Sequence, residues 1–276
     1  MTEAFAEYRE ISVADPLRQG DVLEAVDQRV SMWQRHLLVI TADCDFANDK
    51  NQGRVTCIPL LAAEEYLADI QIPKIRERLV RKPLAALRLI LVKAGAPNIT
   101  DRRLREWAGE EDCSVIVARL GLQDADAQEA RKSLESIRAI DAHAPTLKAG
   151  IEALVEAQLL GPSPPKRENA KKTVVAPLQE SYARPPGDAL FLAAVAPTHH
   201  AGYFAYLRHL EQIWEPDISI GPTRSEVKYR RISRLQDRFT HALVQRFAMV
   251  FMSIGLPKAY EDLRDLHSEL LGEAFH

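Results

Sequence analysis

The sequence predicts an α+β protein in which two β-rich stretches build a small barrel or partly closed sheet, with a helical subdomain inserted between them and a C-terminal helix packed on top. Three observations predict this. Short β-branched or alternating apolar runs occupy residues 20–61 and return after residue 188. Between them apolar residues recur at helical spacing. A stretch rich in proline and charge, residues 161–173, follows the helical part and offers no apolar face to bury. The expected organisation is a discontinuous core of residues 1–61 and 174–276, a helical insertion 62–160 and an exposed linker 161–173. Two sequential domains divided at the linker are the alternative.

The first strand follows Gly20-Asp21, where QGD leads into Val22, Leu23, Ala25 and Val26. Leu37 to Thr41, LLVIT, has the continuous apolar character of a strand buried on both faces. Arg54 to Ile58 is the next, and the Asn, Asp and Gly of ADCDFANDKNQG suit a loop between them. Leu84, Leu87 and Leu91, then Ala130, Leu134 and Ile137, then Leu147, Ile151, Leu154 and Val155 mark helices, kept short by Pro73, Pro83, Pro97 and Pro145. Ala189 to Ala196 and YFAYLRHL from Tyr203 predict a hairpin or neighbouring strands. GPTRSEVKYRRIS continues as turn and strand. Leu235, Phe239, Leu243, Phe247 and Val250 then form one helical stripe from Ser233, stopped by Gly255 and Pro257.

Composition narrows function. The net charge of −3 sets no global basic field, so nucleic acid can be bound only through local patches. Three cysteines with no CxxC spacing exclude a disulfide framework and a zinc-ribbon motif. The apolar runs are too short to span a bilayer and the first residues lack the apolar stretch of a signal peptide, which predicts a cytoplasmic protein.

Three constellations carry candidate chemistry. Asp43 and Asp45 flank Cys44 after LLVIT; on a strand they project to one face, where two carboxylates can share Mg2+. The plainer reading is a charged loop. Asp217, Glu226 and Lys228 spell the PD and ExK elements of a nuclease class in which two acids hold a metal and the lysine orients water. Because the pattern is so permissive, an ordinary hairpin with a solvated charge pair is the simpler explanation. Residues 74–93 hold seven bases against Glu77 alone, a net +6 in an acidic chain. Arg76, Arg78, Arg81, Lys82 and Arg88 belong to this patch and Arg102 and Arg103 extend it, while Arg231 and Arg234 belong to a second cluster. Both patches are candidates for contacting nucleic acid or a protein partner. Helix faces paired with neighbouring acids are the alternative. His36, His199, His200, His209 and His241 lack HxxxH or HExxH spacing and are assigned structural roles.

GDVLEAV, LLVIT, Asn48, Gly53 and VTCIPL resemble the opening of the MazF/PemK-type SH3-like barrel across residues 20–60. The resemblance implies an SH3-like barrel. That family cleaves RNA with an Arg before the second strand and a Ser/Thr after the third. Here Arg35 is followed by His36 instead of proline and Leu60-Leu61 fill the second position, so the catalytic pair is not carried over. The whole chain also resembles uncharacterised bacterial proteins of defence gene clusters. The expected function is a non-enzymatic interaction or accessory protein of bacterial defence, contacting a protein partner or nucleic acid through basic helical surfaces. A metal-dependent nuclease using paired carboxylates is the alternative.

Overall fold

The computed structural model describes residues 6–96, 98–220, 226–252 and 258–273. The fold is α+β, as the sequence predicts, with a curled, largely antiparallel half-barrel sheet and several helices. The chain divides into a β-rich unit, residues 1–60, 187–200 and 205–276, and a helical unit, residues 61–186 and 201–204.

In chain order the elements are β1 (Tyr8–Arg9), β2 (Asp21–Ala25), α1 (Met32–Arg35), β3 (His36–Val39), α2 (Asp43–Ala47) and β4 (Arg54–Ala62). The helical series follows: α3 (Ala63–Tyr66), a π-helical turn (Leu67–Gln71), α4 (Ile72–Leu79), α5 (Arg81–Lys93), α6 (Asp101–Glu110), α7 (Cys113–Arg119), α8 (Asp124–Asp141), α9 (Leu147–Leu160) and α10 (Arg167–Ala183). Then come β5 (Ala189–Leu192), β6 (Tyr203–Tyr206), β7 (Glu211–Trp214), a 3-10 turn (Glu215–Asp217), β8 (Ile218–Ser219), β9 (Tyr229–Leu235), α11 (Asp237–Met252) and α12 (Lys258–Glu273).

In the β-rich unit the strands run β1-β9-β2-β3-β4, with β7 beside β4 and β8 parallel to β9. Alternation sorts their side chains. Leu23, Ala25, Leu37, Val39, Val55 and Cys57 fall on one face and form the core with Leu17, Ile218 and Tyr229. Val22, Glu24, His36 and Leu38 fall on the other, because Val22 pairs with Leu38 and Glu24 with His36. Gly20 adopts φ +88°, and a Cβ there would sit 2.4 Å from Thr240 Oγ1, so the close approach of α11 to the start of β2 requires glycine.

A bulge in the β2–β9 pairing decides the unit's main electrostatic feature. Val22 faces Ser233 and Leu23 faces Arg231, leaving Ile232 as the extra residue. Arg231 and Arg234, three apart, thereby reach the same face and meet Asp21, whose side chain is fully buried. Asp21 accepts from Arg234 Nε at 2.5 Å, Arg234 Nη2 at 3.0 Å, Arg231 Nη1 at 3.3 Å and the Arg18 amide at 2.8 Å. The two guanidiniums also donate to the carbonyls of Ser12, Asp15 and Pro16, tying the N-terminal segment to β9.

In the helical unit α8 packs against α5, α6, α7 and α9, and α10 against α9. Ala130, Leu134, Ile137 and Ile140 make its buried stripe, close to the spacing the sequence shows. Tyr66 stacks on Phe204 with ring centroids 4.1 Å apart.

Several elements differ from expectation. Residues 43–47 form a helical turn within the expected loop. The second half of the expected linker is the start of α10, where Ala170 and Val174 are buried: Ala170, within the charged stretch, stands at i, i+4 spacing from Val174 just beyond it. Ser233 to Leu235 remain in β9, and the stripe turns helical only at Asp237. The stop at Gly255 and Pro257 and the GPTRS turn lie outside the described residues, as does Pro97. No helix among the described residues is long and apolar enough to cross a membrane.

Candidate metal centre

Glu24 and His36 are directly opposed on β2 and β3, so their side chains leave the sheet together on the face away from the core. His199 arrives from the turn after β5. Its amide donates to the Ala196 carbonyl at 3.0 Å and its carbonyl accepts from the Val195 amide at 3.1 Å. That turn is fastened to the sheet because Ser233 Oγ donates to the Val195 carbonyl, and Ala193 donates its amide to Glu7 Oε1 at 2.9 Å.

The three side chains converge. Glu24 Oε1 lies 3.6 Å from His36 Nε2 and 3.2 Å from His199 Nε2, and one ligating atom from each residue lies within 4.8 Å of the others. The imidazoles meet edge to face at 5.2 Å. Thr198 Oγ1 lies 3.1 Å from His199 Nδ1, a contact that fixes the ring and leaves Nε2 directed at Glu24. The site is recessed but open: the side chains of His36, His199 and Glu24 are 10%, 16% and 28% exposed. Among the described residues this is the one group of three such side chains with metal-ligand geometry.

Nitrogen and oxygen ligands about 2.0–2.1 Å from a tetrahedral ion stand about 3.3 Å apart. The 3.2 and 3.6 Å separations fall close to that edge. Two imidazoles and one carboxylate are the donors of catalytic zinc sites that keep a position for water. Arg230 faces Glu24 from β9 and is exposed, placing a cation on the same side of the sheet.

The residues singled out from sequence are placed differently. Asp43 and Asp45 lie on α2, where an i, i+2 pair points to nearly opposite sides, so the shared face expected of a strand does not exist. Asp43 instead accepts from the Gln19 amide at 2.9 Å and pairs with Arg18 at 3.2 Å. Asp217 and Lys228 do come together, at 2.9 Å, on the wall of a cleft of about 420 Å3 that Glu211, Trp214 and Tyr229 also line. Glu226 is exposed ahead of β9. Burial, then the charges of Glu211, Cys57 and Asp217, push the Tyr229 hydroxyl up to about 12.

The basic residues divide into three sets. Arg88, Arg102 and Arg103 are paired with Asp101 and Glu106. Arg76, Arg78 and Lys82 donate to the carbonyls of Ala142, Thr173 and Ser163 and keep their net charge, while Arg81 is exposed. Arg231 and Arg234 are spent on Asp21 inside the fold, which removes them from any binding surface.

Glu24 carries no signal of its own in the sequence, and His36 and His199, assigned structural roles there, lack the helical spacing that marks a ligand pair. The available signal was the β2–β3 hairpin. If Leu23 pairs with Leu37, Glu24 must face His36. Nothing in the sequence near His199 points to them. Comparison of the chain with protein-family models, curated proteins and solved structures finds no match.

Proposed function

We propose that the chain is a metal-dependent hydrolase of anionic, phosphoester-type substrates, with a zinc-class ion held by Glu24, His36 and His199. The convergence of these three side chains carries the reading: Glu24 Oε1 is 3.2 and 3.6 Å from the two imidazole nitrogens, and all three ligating atoms lie within 4.8 Å of one another. An ion so held lowers the pKa of a bound water towards neutrality and supplies a nucleophile. The chain's own part is to hold Glu24 and His36 on the β2–β3 hairpin and His199 on the turn after β5, and to set Arg230 where an anionic substrate gains a counter-charge. The free thiols Cys44, Cys57 and Cys113 suit a reducing, cytoplasmic setting.

The test is to strip the protein with chelator, titrate Co2+ and Zn2+, and follow visible absorption, bound metal and cleavage of a chromogenic phosphodiester. One equivalent should bind, with His199→Ala and Glu24→Gln losing uptake while keeping the wild-type circular dichroism. Failure to bind metal, or binding unchanged in both variants, overturns the proposal; binding without cleavage overturns the hydrolase part alone.

A second reading, an accessory protein that contacts nucleic acid or a partner through its helical unit, draws on Arg76, Arg78 and Lys82, which donate to main-chain carbonyls and keep their positive charge. Charge reversal at Arg78 and Lys82 should then weaken nucleic-acid binding and flatten its salt dependence; unchanged affinity rejects it.

A further inference from the structure

Helix α11 is anchored by its first half, where Thr240 and Leu243 are buried. Its second half turns outward: Met249 is 63% exposed, Phe251 53% and Met252 76%. Helix α12 continues the theme. All its described side chains are exposed, including Leu263 at 56%, Leu266 at 47% and Leu270 at 50%, which share one face by their i, i+3 and i, i+4 spacing. Single exposed leucines need no explanation, but six large apolar side chains left exposed on two consecutive helices mark faces that need a partner. A helix of 16 residues without packing is also marginal in water, so α12 needs a surface to lie on.

Charge selects that surface. KAYEDLRDLHSELLGE carries five acids against two bases, a net −3, whereas α11 carries Arg238 and Arg246 against Asp237 alone, a net +1. Packing α12 on another α12 sets −3 against −3. Packing it on the exposed half of α11, where Arg246 is the one charged side chain, opposes unlike charges.

We propose that the chain forms a two-fold dimer in which α12 of each copy lies along the exposed half of α11 of the other. A two-fold axis makes the contact self-complementary: each chain gives one α12 and receives one, so both apolar faces are covered by a single kind of interface that closes. The proposal is independent of the metal centre.

The experiment is light scattering with size exclusion, and sedimentation equilibrium, on the full chain from 1 to 100 µM as working concentrations on the order of common dimer affinities. The mass should be twice the 31.0 kDa of one chain. Leu263→Glu with Leu266→Glu should weaken dimerisation at least ~100-fold, and Arg246→Glu at least ~10-fold, each tenfold step being about 1.4 kcal/mol. Leu263 and Leu266 are exposed, so thermal unfolding of that variant should stay near wild type, while Arg246→Glu, which also loses its 3.3 Å hydrogen bond to the Ala189 carbonyl, is read against its own melt. Mixing differently tagged Met249→Cys and Leu263→Cys copies under oxidation should yield a disulfide between the two kinds of chain. A monomer at 100 µM, a dimer indifferent to all these substitutions, or, in a Met249→Cys/Leu263→Cys double variant, a disulfide formed only within one chain overturns the proposal.

Discussion

Replacing Asp21 by asparagine keeps the shape of the side chain and removes its charge. In the native fold the carboxylate is fully buried and faces two guanidiniums whose side chains are 1% and 5% exposed. The substitution therefore strands positive charge that water cannot reach, and one of the two oxygens that receive Arg234 becomes a donor. Breaking a buried ion pair by removing one partner costs about 3–5 kcal/mol. For a unit of roughly 150 residues each kcal/mol moves the midpoint by about 2–4 °C, so Asp21→Asn should lower it by roughly 6–20 °C. Trp33 and Trp214 lie in the β-rich unit and Trp107 in the helical one, so fluorescence of a Trp107→Phe background reports the β-rich unit alone. Urea and thermal melts of Trp107→Phe with and without Asp21→Asn supply the comparison, and the loss should fall in the fluorescence transition. A destabilisation under ~1 kcal/mol would refute the reasoning, since it would mean the guanidiniums find equal compensation from the carbonyls of residues 12–16.

Three other outcomes are expected. Gly20→Ala should destabilise the protein by about 2 kcal/mol or more, from the positive φ and the collision with Thr240 Oγ1; Thr240→Ala should recover part of it in the same background, and no loss in a urea melt would contradict the contact. Tyr229 is held protonated to about 12 in the folded chain against its ordinary 10.0, so between these values the unfolded chain gives up the proton first. Its contribution is therefore intact below pH 10 and is lost as pH rises towards 12, and in Tyr229→Phe the alkaline decline of the melting midpoint should be shallower. Zinc at 100 times its dissociation constant should add about 2.7 kcal/mol to stability in a thermal melt, an effect absent in His36→Ala.

Features set by local pattern were legible in the sequence. LLVIT, RVTCIPL and the period of α8 identify their elements because continuous apolar or 3.6-residue patterns leave few alternatives. What escaped depends on register and long-range pairing. Arg231 and Arg234 look like a basic surface until the bulge at Ile232 turns both onto Asp21, more than 200 positions earlier. Glu24, His36 and His199 are ordinary singly, and they converge only because β2 meets β3 in one register while the turn after β5 reaches the same face. The exposed stripe of α12 was missed because its acids dominate the composition of that stretch.

The division of the chain has a consequence for its synthesis. The helical unit is nearly continuous, needing beyond residues 61–186 only residues 201–204, whereas β2 must wait for β9. At 5–20 residues per second the intervening 200 or so positions take roughly 10–40 s to emerge. Throughout that interval the nascent hairpin of β2 and β3 presents an open edge and Asp21 an unanswered charge. That charge keeps the young edge in water and discourages its pairing with other chains, until Arg231 and Arg234 arrive and turn the same residue into the rivet of the finished sheet.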